Sequence, residues 1–275
     1  MTGPTRQIAG WIESIDPGVV DGDSRAVVSG LVTRTLIAIA ATTARSRSDP
    51  ASAPLGVDLL TDASVLAAGL RAGSFSEHHA DLVDLAAPVV GASLAIAIPR
   101  PCSGARLGAA ILAGCELGLL IREMVGSACG PRLRAAAATC AAISAARVVD
   151  LRGDLLLSAI GIGASSSVGA AVALETAWQA GKSASNGVLA ALLAEAGLTG
   201  PADAIEHPRG LLGAVFDLPP AARTAGGLGS RIGLMKPMVS PATPTDGLAE
   251  KAAGMWEMER ASELVAAVLP DRTRR

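Results

Sequence analysis

Half of this chain is apolar, yet only 2% of it is aromatic: three Trp, two Phe and no Tyr among 275 residues. An interior of that size has to be filled by small aliphatic side chains. Ala has the best helix propensity, so an Ala- and Gly-rich interior predicts helices packed at short range. The length allows one large domain or two small ones, with ample chain for a core. Charged residues are 17% and mean hydropathy is +0.45, which excludes disorder. A net charge of -2 with so few rings argues against nucleic-acid binding, which needs a basic face and stacking platforms.

Helical periodicity dominates the chain. Helices are predicted over Ser24–Ala44, with Asp21 or Asp23 as N-cap, and over Thr61–Ala72. Others are expected over Pro88–Ile98, Gly104–Val125, Arg132–Val149, Leu155–Trp178 and Asn186–Ala196, the last closed by Gly197. A final amphipathic helix is predicted from Leu248 to Leu269, with Trp256, Ala261, Leu264, Val265 and Val268 near one face. Gly56–Leu60 is the one short strand candidate, so the fold class is all-α. Leu155–Leu174 carries no charge over about the length of a membrane span. It lacks flanking Lys and interfacial aromatics, and reads as a buried central helix rather than a membrane anchor.

Cys102, Cys115, Cys129 and Cys140 form no CxxC pair and match no zinc spacing, so they read as idle thiols in a reducing compartment. The polar stretch Met1–Gly10 has no signal-peptide core, and a cytoplasmic location is expected.

The order of residues after Gly161 resembles the MmgE/PrpD family. The resemblance rests on the run Ala180-Gly181-Lys182-Ser183-Ala184-Ser185-Asn186-Gly187-Val188-Leu189, and on Gly197 to Pro201. It also rests on Ile205-Glu206-His207-Pro208-Arg209-Gly210-Leu211-Leu212 with Phe216. Upstream, Ala87-Pro88-Val89-Val90 and Gly104 to Glu116 fit too, so most of residues 25–240 is covered. That family includes 2-methylcitrate dehydratases, cis-aconitate decarboxylases and iminodisuccinate epimerases. The resemblance implies an all-helical domain, a smaller α+β domain, a dimer, and chemistry without metal or organic cofactor. Here the chain divides into an N-terminal segment (1–23), a helical core (24–218), a Gly/Pro-rich segment standing in place of the second domain (219–247) and a C-terminal helix packing back on the core (248–275).

The resemblance also places the site. A family Asp segment falls on Asp81-Leu82-Val83-Asp84, which puts Asp81 at the base position with His78 before it. Two His-Pro pairs are absent: Leu85-Ala86 and Gly130-Pro131 stand there. The family's Lys falls on Thr176 and its next His on Gln179, while Lys236 matches a Lys near the domain crossing. Three lysines in the whole chain, Lys182, Lys236 and Lys251, are few for a substrate with three carboxylates. Arg122, Arg132 and Arg134 are alternative carboxylate forks. Independently, Glu77-His78-His79-Ala80-Asp81 is the densest titratable cluster, and histidine suits acid/base work near neutral pH. The same cluster also reads as a solvated helix-end loop. A metal on His78, His79 and Asp81 is disfavoured, because adjacent histidines point apart on a helix.

The candidate catalytic residues are therefore His78, Asp81 and His79, and the candidate substrate-binding residues are Thr176, Gln179, Lys236 and Arg132. No metal and no cofactor is expected. A cofactor-independent lyase or isomerase is expected, acting on a small substrate less acidic than tricarboxylates. The alternative is a degenerate member that binds a small molecule or dimerises. The expected partners are a small-molecule substrate and a second copy of the chain, with no nucleic acid and no membrane. Lys182 and His207 read as structural, and Trp178 and Trp256 as packing anchors.

Overall fold

A computed structural model describes residues 3–45, 58–72, 80–167, 176–220, 223 and 247–266. Its order is α1 (Pro4–Ser14), α2 (Gly22–Arg45), α3 (Leu59–Ala72), α4 (Ala80–Ala97) and α5 (Gly104–Val125). A 3-10 segment (Ser127–Ala136) leads into α6 (Ala137–Val148), then α7 (Gly153–Ser165) and α8 (Thr176–Glu195). A π turn (Leu211–Val215), α9 (Leu248–Ala253), a 3-10 turn (Gly254–Glu257) and α10 (Ser262–Ala266) complete the described chain. No strand occurs among the described residues, and Leu59 and Leu60 of the strand candidate open α3. The fold is all-α.

The caps are local and legible. Asp21 Oδ1 accepts from Ser24 N at 2.9 Å. Asp58 Oδ1 accepts from Leu60 N and Thr61 N, both at 2.9 Å, and Ser103 Oγ accepts from Arg106 N at 3.2 Å. Gly197 closes α8 at φ +91°, with its N–H on Ala194 O and Leu198 N–H on Leu193 O.

α6 is the centre of the protein, with all twelve of its residues buried. It packs against α8, α4, α5 and α7. Glycines of three neighbours set the approach. A methyl at Gly187 of α8 would lie 2.7 Å from Ala141 C, at Gly114 of α5 2.7 Å from Cys140 O, and at Gly163 of α7 2.6 Å from Ala142 Cβ. The predicted small-residue packing is thus realised as backbone-to-backbone contact around one helix.

Several expectations change. α4 begins eight residues before Pro88, which sits inside the helix. Leu85, Ala86, Ala87, Val89 and Val90 are fully buried, and that packing outweighs the hydrogen bond Pro88 does not make, a cost of about 3 kcal/mol. The helix expected over Leu155–Trp178 ends at Ser165. Ser165, Ser166 and Ser167 donate their hydroxyls to Gly161 O, Ile162 O and Gly163 O, back-bonding that weakens a helix end. The helix over Leu248–Leu269 is broken into α9, a turn and α10. Met258 is extended, its carbonyl accepts from Gly104 N at 3.0 Å, and Ala261 N donates to Cys102 O at 2.7 Å. These bonds tie the segment to the start of α5 in place of helix continuity. The first part of Arg132–Val149 is 3-10 rather than α. Inside the N-terminal segment, Ile8, Trp11, Ile12 and Ile15 of α1 and the turn after it join the core.

Of the two tryptophans read as anchors, Trp256 is buried, donates Nε1–H to Ser29 Oγ at 3.2 Å and has Arg25 5.0 Å over its ring. Trp178 is 59% exposed, so it anchors no core. Among the described residues, the helix long and apolar enough to cross a membrane is Gly104–Val125, not the stretch singled out from sequence. It is 89% buried inside the protein, the position of a core helix. Cys102, Cys115 and Cys140 are free and buried. Burial raises all three thiols, Cys102 to about 11 and Cys140 to about 12, which keeps them protonated and unreactive near neutral pH.

Candidate functional site

The start of α4 is where acid/base chemistry is expected. Asp81 lies in its first turn and Asp84 one turn later on the same face. His78, His79 and Lys236 lie outside the described residues. Asp84 is 7% exposed and meets two guanidinium groups. Arg71, in the last turn of α3, donates Nε–H to Asp84 Oδ1 at 2.6 Å. Arg134, in the 3-10 segment before α6, brings Nε to 3.0 Å from Asp84 Oδ2. Its Nη1 donates to Gln179 Oε1 at 3.2 Å. Gln179 stands in the first turn of α8, three residues after Thr176, which opens that helix.

Four elements therefore converge: the end of α3, the start of α4, the 3-10 segment and the start of α8. Helix dipoles favour this arrangement. A cation suits the C-terminus of α3 and an anion suits the N-terminus of α4, each worth about 0.3–1 kcal/mol. The charge of the cluster is simple. Arg71 and Arg134 bring two positive charges and Asp84 removes one, leaving a single net positive charge.

Of the sequence candidates, the fold brings Thr176 and Gln179 to the opening of α8 and Asp81 to the opening of α4. Arg132 is exposed, and the guanidinium that meets Gln179 belongs to Arg134 two residues later. Asp84 and Arg71 carry no role in the sequence. Asp84 is visible there in the Asp81–Asp84 segment, but nothing in its spacing announces a partner thirteen residues upstream.

A second concave region, about 390 Å³, lies between the end of α7 and the 201–215 stretch. Ser165, Ser167, Asp203, His207 and Arg209 are among its walls. His207 Nδ1 accepts from Arg209 N at 3.0 Å, so its neutral ring carries the proton on Nε2. The serine hydroxyls donate to carbonyls of their own helix. Among the described residues neither hydroxyl is bonded to His207, so no Ser–His nucleophile is formed. Nor do three His, Cys, Asp or Glu side chains among the described residues gather as a metal set.

Residues 32–224 match the family model of the MmgE/PrpD N-terminal domain. Arg71, Asp84, Arg134 and Gln179 all fall within that span. No curated protein matches the chain.

Proposed function

Because the chain belongs to the MmgE/PrpD family, we propose that it is a cofactor-independent lyase or isomerase acting on a small substrate with fewer carboxylates than a tricarboxylate. One observation carries the substrate side: the Arg71–Asp84–Arg134 cluster keeps a single net positive charge beside the expected site. Asp81 as the ionised base takes that charge away and Lys236 with Arg132 adds two, so the set carries two positive charges, short of the three a tricarboxylate brings. In this scheme Asp81 takes the proton next to that carboxylate and a histidine of the 78–79 pair protonates the leaving hydroxyl, so water departs and a carbon–carbon double bond forms. Thr176 and Gln179 bind an uncharged part of the substrate. Lys236 and Arg132 are the remaining candidate cations for the substrate. The enzyme works in the cytoplasm as a homodimer, and a specialised metabolite fits a site this weakly charged.

A second reading is favoured by one contact. Gln179 Oε1 already accepts from Arg134 Nη1, as expected of a degenerate member that binds or dimerises without turnover. The two separate on one experiment. The full chain is incubated with mono-, di- and tricarboxylates that carry a hydroxyl on the carbon β to a carboxylate, and alkene formation is followed by ultraviolet absorbance. Turnover of a mono- or dicarboxylate, falling about 100-fold or more in Asp81→Asn and His78→Ala, supports the lyase. Calorimetric binding without turnover supports the second reading. Preference for tricarboxylates refutes the charge argument.

A further inference from the structure

The cavity between the end of α7 and the 201–215 stretch belongs to neither reading: Asp81, Asp84, Thr176 and Gln179 are not among its walls. Its volume, about 390 Å³, lies in the range of small-molecule sites. Main-chain bonds fix one wall. His207 N donates to Asp203 O at 2.8 Å, and Gly210 N to His207 O at 2.8 Å. Leu211 N donates to Ala204 O and Leu212 N to Ile205 O, both at 2.9 Å. Glu206, outside the walls, is held by α1, its Oε2 accepting from Thr5 N at 3.0 Å. A wall ordered before binding loses little freedom on binding.

Three polar side chains of that wall have binding capacity left. His207 Nδ1 accepts from Arg209 N, which leaves Nε2–H as a donor. Among the described residues, Nε2, the Arg209 guanidinium and the Asp203 carboxylate meet no hydrogen-bond or ion-pair partner. Arg209 and Asp203 are the charged residues of the cavity, one of each sign, and they do not pair with each other. The α7 side has the opposite preference to Arg209. Ser165 closes a 13-residue helix, whose C-terminal end is the negative end of its dipole. Ser165 and Ser167 give their hydroxyl protons to Gly161 O and Gly163 O at 2.8 and 3.3 Å, so a ligand meets oxygen lone pairs there. A methyl at Gly161 would lie 2.5 Å from Pro201 O, so the 201–215 stretch leaves α7 only two residues before Asp203. Ala164, Pro201, Ala214 and Val215 add small apolar wall.

We infer that this cavity binds a small zwitterion of the α-amino-acid class, its carboxylate on Arg209 and His207 Nε2–H and its ammonium at Asp203 and the end of α7. One positive and one negative wall charge suit a ligand that carries one of each and no net charge. The small apolar wall suits a short aliphatic side chain.

The test is isothermal titration of the full chain with glycine, L-alanine and L-valine. Propionate and ethylammonium, which keep one charge each, are titrated beside them. Saturable binding of at least one amino acid is expected, with both single-charge probes weaker by roughly tenfold or more. Arg209→Gln and Asp203→Asn, both at exposed positions, should each weaken binding roughly tenfold while leaving the melting temperature unchanged. Absence of saturable heat with all three amino acids overturns the site. So does wild-type affinity in either variant. A single-charge probe that binds as tightly as the amino acids overturns the zwitterion. Because Asp81 and Gln179 are untouched by these variants, failure here leaves the proposed lyase reading standing.

Discussion

Alanine at position 187 sets two physical effects against each other. Gly187 lies inside α8, where Ala is better than Gly by about 1 kcal/mol on helix propensity alone. The new methyl would stand 2.5 Å from Ala141 Cβ, 2.7 Å from Ala141 C and 2.8 Å from Ala142 N. Carbon contacts settle near roughly 3.5–4 Å, so α8 and α6 must part by roughly 1 Å. α6 cannot recede, because Gly114 and Gly163 hold α5 and α7 equally close on its other sides. Overpacking of this kind costs about 1–3 kcal/mol, and a site with no room to relax belongs at the upper end. The net loss expected is about 2 kcal/mol, or roughly 4–8 °C in Tm for a chain of this size. Gly69 in α3 is the control, since a methyl there would meet nothing within 4 Å. Gly69→Ala should gain about 0.5–1 kcal/mol. Urea unfolding followed by circular dichroism gives both values. A Gly187→Ala variant as stable as wild type would refute the close-packing argument, as would an equal loss in Gly69→Ala.

Removing Asp84 should cost more than losing an exposed ion pair. Asp84→Ala leaves Arg71 and Arg134 facing each other, and a loss of about 2–4 kcal/mol is expected in urea unfolding; a loss under roughly 0.5 kcal/mol would mean that these contacts hold the fold no better than a pair in open solvent. Stability should also fall at alkaline pH. The folded-state thiols titrate above their ordinary value of 9.0, so the folded state holds protons the unfolded chain has lost, and stability declines as pH rises from about 9 through 11–12. Near pH 10 each thiol costs on the order of 1 kcal/mol. Cys140→Ala should flatten the pH profile of the melting temperature, and an unchanged slope would contradict this. The homodimer is expected to form through α8: Trp178 and Leu189 are exposed eleven residues apart, on one face of that helix. Trp178→Asp with Leu189→Asp should shift sedimentation from dimer to monomer, and a dimer that survives both would place the interface elsewhere.

The helical class is legible in the sequence because it rests on local chemistry, as with Asp21 as a cap and Gly197 as a stop, whereas the caps Asp58 and Ser103 emerge only in the structure. Where the structure departs, a contact outweighs a propensity. At Pro88 and Met258 tertiary packing and backbone pairing override the local preference. At serines 165–167 the hydroxyls compete for their own helix's carbonyls. The site is half legible. Asp81, Thr176 and Gln179 follow from the resemblance, whereas the Arg71–Asp84–Arg134 contact joins positions thirteen and fifty residues apart. A single sequence carries no signal for such pairs. Apolarity alone does not mark an outer surface here, since α5 and α6 spend theirs inside the chain.

One consequence of the nearly ring-free composition concerns where polar chemistry can sit. A central helix approached by glycine backbones on several sides has no room along its length for a charged side chain. Charge can enter only at its ends. Arg134 precedes the first residue of α6 and Arg147 stands next to its last. The N-terminal end of a helix repels a cation, so Arg134 requires a carboxylate, and Asp84 supplies it within 3.0 Å. The C-terminal end attracts a cation, so Arg147 is tolerated with only distant support from Asp150 at 3.7 Å. The two ends therefore differ in how their charge is held. At the Asp84 end the protein balances one of two guanidinium charges internally. At each end one buried guanidinium N–H, Arg134 Nε or Arg147 Nη1, has no hydrogen-bond acceptor. The same packing that makes α6 inert along its length thus confines charge to its two ends, each guanidinium beside a carboxylate.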